Sequence, residues 1–268
     1  MTRRALPVTL ACGLALAGCA HPAPPRPAHY VALGSSYAAG TAIGGIKPGT
    51  PERCGRSPLN YATLLASRLH LDLADVSCGG AVTAHLLGPW DELPAQISAL
   101  RPDTALVTIT GGGNDVGFVR NLFAASCDSR PNCAQPMQVT EQDWAATERG
   151  LRQIVAVIHE RSPNARIVFV DYLTVVPQGR TCAALKLDEA EARAAVASAE
   201  RLALITARVA QETGSVLLPA SRLSAEHTAC DPESWSVAGP GSAPGTPWHP
   251  NTAGHAAVAA ALANLLGS

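Results

Sequence analysis

Two short segments at opposite ends of the chain carry residues suited to nucleophilic catalysis. An apolar run ends in Gly-Ser-Ser-Tyr at 34–37, and Trp-His-Pro-Asn occupies 248–251. A serine where a strand turns abruptly into a helix stands at the carboxyl edge of a sheet, close to backbone N–H groups that favour negative charge. A neutral imidazole takes the serine proton and later returns it to the leaving group. Together the two segments predict acyl transfer through a serine.

Two glycine-containing segments lie between them along the chain. They are Cys-Gly-Gly-Ala at 78–81 and Gly-Gly-Gly-Asn-Asp at 111–115, the second directly after an apolar run. A glycine lets its backbone N–H approach an oxyanion, and an asparagine amide adds a side-chain donor, each worth roughly 2–4 kcal/mol in the transition state. Both segments therefore carry donor groups of the kind that an oxyanion requires.

The four segments, in this order, resemble the SGNH (GDSL-type) hydrolase family, which is named for a Ser, a Gly, an Asn and a His in four blocks. The resemblance extends from about Tyr30 to the C-terminal helix. It implies an esterase or lipase that needs no metal or cofactor, and Gly79 is the neighbouring alternative for the glycine donor. The residues that the resemblance assigns are Ser36 and His249 for catalysis, and Ser36, Gly80 and Asn114 for the oxyanion hole.

Two positions depart from the family pattern. Ser35 stands where the family usually has Asp, and Thr246 stands where it commonly has the Asp that orients the histidine. Certain secreted esterases that the chain resembles hold the imidazole with a main-chain carbonyl at that position. We therefore expect the backbone carbonyl of Thr246 to orient His249, with a carboxylate from Asp231 or Asp115 as the less favoured alternative.

The surrounding pattern predicts an α/β fold. Apolar, β-branched runs at 30–34, 73–78, 105–110, 166–172 and 215–218 alternate with helical segments at 61–69, 92–100, 141–161, 189–213 and 252–266. Continuous apolar runs suit strands that are buried on both faces, as in a parallel sheet. Five such units predict a three-layer α/β/α sandwich with a five-stranded parallel sheet, flavodoxin-like as in SGNH hydrolases, with ligands at the carboxyl ends of the strands.

The N-terminal residues predict export. Arg3 and Arg4 precede a mostly apolar stretch, residues 5–17, that is too short to span a bilayer. The following Leu-Ala-Gly-Cys resembles the lipobox of a bacterial lipoprotein, with Cys19 as the lipid-modified residue. An ordinary secretory peptide is the alternative. We divide the chain into a signal peptide (1–18), a Pro-rich tether (19–29) and a hydrolase domain (30–268), anchored at the cell surface or released.

Six cysteines remain in the exported domain: Cys54, Cys78, Cys127, Cys133, Cys182 and Cys230. An even number beyond an export signal implies three disulfides, for which fifteen pairings are possible. Pairing nearest neighbours is the simplest scheme, and similarity to actinobacterial secreted lipases of the same family implies the same three bridges. A zinc site is disfavoured because no Cys-x-x-Cys pair is present.

The composition limits the kinds of binding partner that we expect. The net charge is −1 and no basic cluster occurs, which argues against nucleic acid. We expect a monomeric ester hydrolase that acts on a lipid or other small ester and contacts the membrane through the Cys19 lipid. A glycan O-acetylesterase of the cell envelope is the alternative substrate class. A surface binding module with weak or no catalysis is the alternative of another kind, because both family Asp positions are substituted.

Overall fold

The computed structural model describes residues 1–2, 27–127, 133 and 135–267, so Cys19 and all but the first two residues of the predicted signal peptide lie outside the described residues. Five parallel strands form one sheet in the order β2-β1-β3-β4-β5, which confirms the predicted α/β architecture. The strands are β1 (His29–Gly34), β2 (Asp72–Asp75), β3 (Thr104–Thr110), β4 (Arg166–Val170) and β5 (Val216–Leu218).

Helices cover both faces of the sheet. They are α1 (Ser36–Ala39), α2 (Tyr61–Leu69), α3 (Thr83–Leu87), α4 (Phe118–Ala125), α5 (Glu141–Arg161), α6 (Glu189–Glu212), α7 (Ala220–Leu223) and α8 (Thr252–Leu266). Side chains of β1 alternate between the two layers, as the strand period requires. Val31 and Leu33 join the apolar cluster of α5 and α6, whereas Tyr30 and Ala32 join that of α2 and α8.

Capping side chains fix where the long helices begin. Asn60, Thr140, Asp188 and Asn251 each accept a hydrogen bond from a backbone N–H in the first turn of α2, α5, α6 and α8, respectively. Such caps satisfy backbone donors that the helix itself leaves free. The Asn251 cap lies two residues beyond His249, so the start of α8 is fixed directly next to the predicted base.

The predicted helix at 92–100 is wrong. Residues Gln96–Ala99 form only a 3-10 helix, and Trp90 pairs with Leu93 in an isolated antiparallel bridge. Pro94 is the physical reason, because proline disfavours helical backbone at the residue before it and lacks a donor of its own. In contrast, α4 forms in a segment for which no helix was predicted.

Three disulfides join the loops, and each cysteine pairs with its nearest neighbour in the sequence. Cys54 bonds to Cys78, Cys127 to Cys133, and Cys182 to Cys230. The first bridge connects the loop after α1 to the loop after β2, and the third connects the loops after β4 and β5. Both brace the carboxyl edge of the sheet. Within the described part of the chain, no helix is long and apolar enough to cross a membrane.

Candidate active site

The turn after β1 presents Ser36. Gly34 ends the strand with a φ of +146°, and a Cβ at this position would stand 2.3 Å from the carbonyl oxygen of Thr110 in β3. The Ser35 N–H donates to the same oxygen at 2.9 Å, so the chain leaves the sheet sharply. Ser36 then begins α1 and is partly exposed, whereas the Ser35 side chain is buried. Of the two serines, Ser36 is therefore the accessible one.

His249 contacts Ser36 directly. Its Nε2 lies 2.7 Å from the Ser36 Oγ, and its Nδ1 lies 2.8 Å from the carbonyl oxygen of Pro247. A carbonyl only accepts hydrogen bonds, so Nδ1 carries the proton and Nε2 offers its lone pair to the serine hydroxyl. This is the tautomer that a general base needs.

The carbonyl that contacts the His249 Nδ1 belongs to Pro247 and not to Thr246, which corrects the sequence-based expectation. The Thr246 carbonyl accepts the backbone N–H of His249 at 3.3 Å, which closes a four-residue turn. Within this turn it is the next carbonyl, that of Pro247, that faces the imidazole. The Thr246 hydroxyl points elsewhere and donates to the carbonyl oxygen of Thr41 at 3.0 Å.

No carboxylate of the described residues contacts the imidazole. Asp115 accepts hydrogen bonds from the Thr83 backbone N–H at 3.0 Å and from its hydroxyl at 2.5 Å. Asp231 accepts from the N–H and hydroxyl of Thr228, at 2.8 and 2.6 Å, and pairs with Arg180. Both acids therefore brace loops.

Burial sets the electrostatics of the base. It lowers the pKa of His249 from 6.5 to about 4, although the hydrogen bond to the Pro247 carbonyl raises the pKa. Withdrawal from water penalises the charged imidazolium, and no nearby carboxylate compensates. The imidazole is consequently neutral, and able to accept a proton, from mildly acidic pH upward.

The candidate oxyanion donors lie on the loops after β2 and β3. Gly80 is exposed, has a φ of +81°, and donates its N–H to no described residue. The Gly79 N–H is engaged with the Cys54 carbonyl at 3.0 Å, which favours Gly80 over its neighbour. Asn114 donates from Nδ2 to the Ala81 carbonyl at 2.9 Å and keeps a second amide hydrogen. That bond ties the two donor loops together.

Two tyrosines that the sequence did not single out hold these segments in place. The Tyr172 hydroxyl accepts the Gly113 N–H at 3.0 Å and lies 3.2 Å from the Ser35 Oγ, so it bridges the serine loop and the asparagine loop. The Tyr37 hydroxyl donates to the Trp248 carbonyl, and its ring centroid lies 5.0 Å from that of His249. Tyr172 lies two residues after the end of β4, at the same sheet edge as the motifs, and that position is the signal that could have found it.

Other residues near the motifs have structural roles in the fold. His255 is buried, and its Nδ1 accepts the Tyr61 N–H at 3.1 Å. Leu86 and Phe118 belong to the core, whereas Trp90 is half-buried and borders Gly80. In the part of the chain that the structure describes, no three His, Cys, Asp or Glu side chains are grouped to hold a metal ion.

A parallel α/β/α sandwich with a serine and an imidazole in contact at the carboxyl edge of its sheet is typical of one class of serine hydrolases. Residues 32–257 match the model of the GDSL-like lipase/acylhydrolase family, and the chain belongs to that family. It is similar to Lipase 2 of Streptomyces coelicolor, with 30% identity over 294 residues that cover 97% of this chain and 93% of the relative.

Solved structures agree with this assignment. Phospholipase A1 from Streptomyces albidoflavus superposes with a TM-score of 0.73 at 25% identity, covering 90% of this chain and 98% of that one. The extracellular lipase from Streptomyces rimosus superposes with a TM-score of 0.71 at 26% identity, covering 89% and 97%. The chain is a carboxylic ester hydrolase.

Proposed function

We propose that Ser36 is the nucleophile and that His249 is its general base, held by the Pro247 carbonyl in a Ser–His dyad. The observation that carries this proposal is the pair of contacts on one imidazole, 2.7 Å to the Ser36 Oγ and 2.8 Å to the Pro247 oxygen. Nucleophile and base within hydrogen-bond reach, with the base oriented by a third group, is the arrangement that activates a serine.

The reaction follows from these contacts. Nε2 takes the hydroxyl proton as Oγ attacks the ester carbonyl carbon, and the carbonyl electrons move onto oxygen. The N–H groups of Ser36 and Gly80 and the Asn114 amide stabilise this oxyanion. Collapse expels the alkoxide, which takes the proton from the imidazolium and leaves an acyl-serine. A water molecule then repeats the sequence and releases the carboxylic acid.

Covalent labelling tests the assignment. A fluorophosphonate probe forms a bond to the activated serine, so peptide mapping of the labelled protein should place the adduct on Ser36. Ser36→Ala should abolish labelling and ester hydrolysis, whereas Ser35→Ala should keep substantial activity. An adduct on Ser35, or undiminished hydrolysis by Ser36→Ala, would overturn the proposal.

Esters of lipids are the proposed substrate class. The named relatives are lipases and a phospholipase A1, which supports this choice. A glycan O-acetylesterase is the alternative. Comparing p-nitrophenyl esters of increasing chain length, lipid esters and an acetylated glycan distinguishes the two. A binding module without catalysis is disfavoured because the contact between Ser36 and His249 is intact.

Export and lipid anchoring complete the proposed function. The relative from Streptomyces rimosus is named as extracellular, and residues 1–18 have the composition of a signal peptide. We propose that Cys19 carries lipid, that residues 19–29 form the tether, and that residues 30–268 form a monomeric domain. Cys19→Ala should release the protein from membranes or block its processing. Equal membrane partitioning of variant and wild type would contradict anchoring.

A further inference from the structure

Gly34, the last residue of β1, lies past the end of one of the two neighbouring strands. β2 pairs with β1 only as far as Ala32, whereas β3 continues beside Gly34 itself. Buried backbone N–H and C=O groups are costly to leave without hydrogen bonds. On the β2 side, the buried groups of Gly34 therefore need partners from outside β2, at a position two residues before Ser36.

The side chain of Gln96 supplies these partners. Its Oε1 accepts the Gly34 N–H at 2.8 Å, and its Nε2 donates to the Gly34 carbonyl at 3.0 Å. The Cys78 N–H donates to the same carbonyl at 3.0 Å. Because a backbone N–H only donates and a carbonyl only accepts, the two bonds fix which atom of the amide faces which group. The carboxamide thus takes the place of a peptide group in a neighbouring strand.

Gln96 is fixed from the side of the protein core. It is only 5% exposed, it begins the 3-10 helix Gln96–Ala99, and the next residue, Ile97, belongs to the apolar core. Arg161 of α5 donates to the Ile97 carbonyl at 3.1 Å. A side chain so deeply buried does not reach the substrate, so any influence of Gln96 on catalysis has to pass through the turn at Gly34.

The Gly34 turn leads directly to Ser36. The peptide group between Gly34 and Ser35 is held on one side by the Thr110 carbonyl, which accepts the Ser35 N–H, and on the other side by Gln96. Glycine has more backbone freedom than any other residue, and Gly34 uses it with a φ of +146°. The two bonds from Gln96 therefore restrain the most adaptable residue of the turn that places the Ser36 Oγ and N–H.

We propose that Gln96 is a positioning residue, whose carboxamide holds the Gly34 turn so that Ser36 stays in place against His249. The proposal rests on the function proposed above, in which Ser36 is the nucleophile. Misplacing a reacting atom by about 1 Å can cost roughly a hundredfold in rate. Loss of the two bonds should therefore lower kcat. The KM of a small soluble ester should stay near wild type, because Gln96 is buried away from the substrate.

Gln96→Glu is the decisive variant, because it keeps the shape of the side chain and makes one of the two bonds depend on pH. A carboxylate still accepts the Gly34 N–H but repels the Gly34 carbonyl, whereas a neutral carboxyl accepts and donates as the amide does. We expect kcat for p-nitrophenyl acetate to be about tenfold below wild type near pH 8. The deficit should shrink as the pH falls to about 5, because burial raises the pKa of a carboxyl group into this range.

The readout is the ratio of variant to wild-type kcat at each pH. The ionisable groups around the segment are Arg56 and His85, which line a cavity that Gln96 also borders, and Arg161. These groups and His249 are present in both proteins, so the ratio reports the introduced carboxyl. Gln96→Met removes both bonds and does not titrate, so its deficit in kcat should be the same at every pH.

The chain offers a matched control. The Asn121 Oδ1 accepts the Met137 N–H at 2.7 Å, and its Nδ2 donates to the Met137 carbonyl at 3.1 Å, the same pair of bonds to one residue. Asn121→Asp should leave kcat at the wild-type value throughout the pH range. All rates are measured well below the Tm of each variant, and if Gln96→Met does not fold, Gln96→Glu decides alone.

Three results would overturn the proposal: wild-type kcat in folded Gln96→Met, a deficit of Gln96→Glu that fails to shrink on acidification, or an equal loss in Asn121→Asp. Failure of the proposed function is distinguishable from these. Ser36→Ala with wild-type hydrolysis removes the proposed function, whatever Gln96 does. Inactive Ser36→Ala together with fully active Gln96 variants leaves the dyad in place and removes only the role of Gln96.

Discussion

The hydroxyl of Tyr37 donates a hydrogen bond to the backbone carbonyl of Trp248. Tyr37 follows the candidate nucleophile and Trp248 precedes the candidate base, so this bond runs beside the contact between Ser36 and His249. Two adjacent hydrogen bonds therefore join segments that lie 213 residues apart in the chain. Trp248 also has a φ of +65°, a backbone conformation that bulky residues rarely adopt, and the surrounding contacts hold it there.

Tyr37→Phe should lower both activity and stability. It keeps the ring against His249 but leaves the Trp248 carbonyl without its donor, at a cost of roughly 1–3 kcal/mol. We expect kcat/KM for a soluble ester to fall and the urea midpoint to decrease. Tyr30→Phe is the matched control, because Tyr30 is equally buried and loses a 2.7 Å bond to Thr108 away from the site. Similar kcat losses in both variants would contradict a local role for Tyr37.

Substitution of the Thr246 side chain should have little effect on kcat. The group that contacts the His249 Nδ1 is the Pro247 carbonyl, which Thr246→Ala retains. Asp231→Asn should likewise keep activity, because its carboxylate is engaged with Thr228 and Arg180. Steady-state kinetics on both variants, with circular dichroism to verify folding, provide the measurement. A loss of several orders of magnitude in kcat for folded Asp231→Asn would mean that a carboxylate completes a triad.

Activity should persist into mildly acidic solution. Only the neutral imidazole accepts the serine proton, so activity is lost as the pH falls through the pKa of His249, which burial lowers to about 4. A profile of kcat/KM should therefore be flat between about pH 6 and 8 and should fall with an inflection well below the ordinary histidine value of 6.5.

A second buried group provides the control for that profile. Burial raises the pKa of Asp171 to about 6, and its carboxylate accepts from the Ser221 N–H and hydroxyl. Asp171→Asn should leave the kcat/KM profile unchanged, since this carboxyl does not contact the dyad. An inflection near pH 6 that disappears in this variant would assign the activity loss to Asp171 and contradict the prediction for His249.

The disulfides should differ in their effect on catalysis. Replacing Cys54 and Cys78 by Ser opens a bridge with a sequence separation of 24 and frees the loop that carries Gly80. We expect a loss of about 3 kcal/mol in the free energy of unfolding and a lower kcat. Replacing Cys127 and Cys133, with a separation of 6, should cost less stability and leave kcat unchanged. Equal kcat in the two double variants would contradict the coupling to Gly80.

The sequence by itself determined the sheet and indicated the proposed dyad. Buried strands, capped helices and the turn at Gly34 are specified by residues close together in the chain, so periodicity predicted β1. The resemblance of the motifs at 34–37 and 248–251 to those of a known family pointed to Ser36 and His249, whose side chains the fold brings into contact. Local patterns failed where one residue changed the backbone, as Pro94 did in the segment expected to be helical.

Only the tertiary structure decided which neighbouring groups face the site. That the Pro247 carbonyl and not the Thr246 carbonyl contacts the imidazole follows from the geometry of the turn before His249. The choice of Gly80 over Gly79 depends on the Cys54 carbonyl, which belongs to another loop. Adjacent residues have the same local preferences, and it is packing between distant segments that determines which of their atoms point into the site.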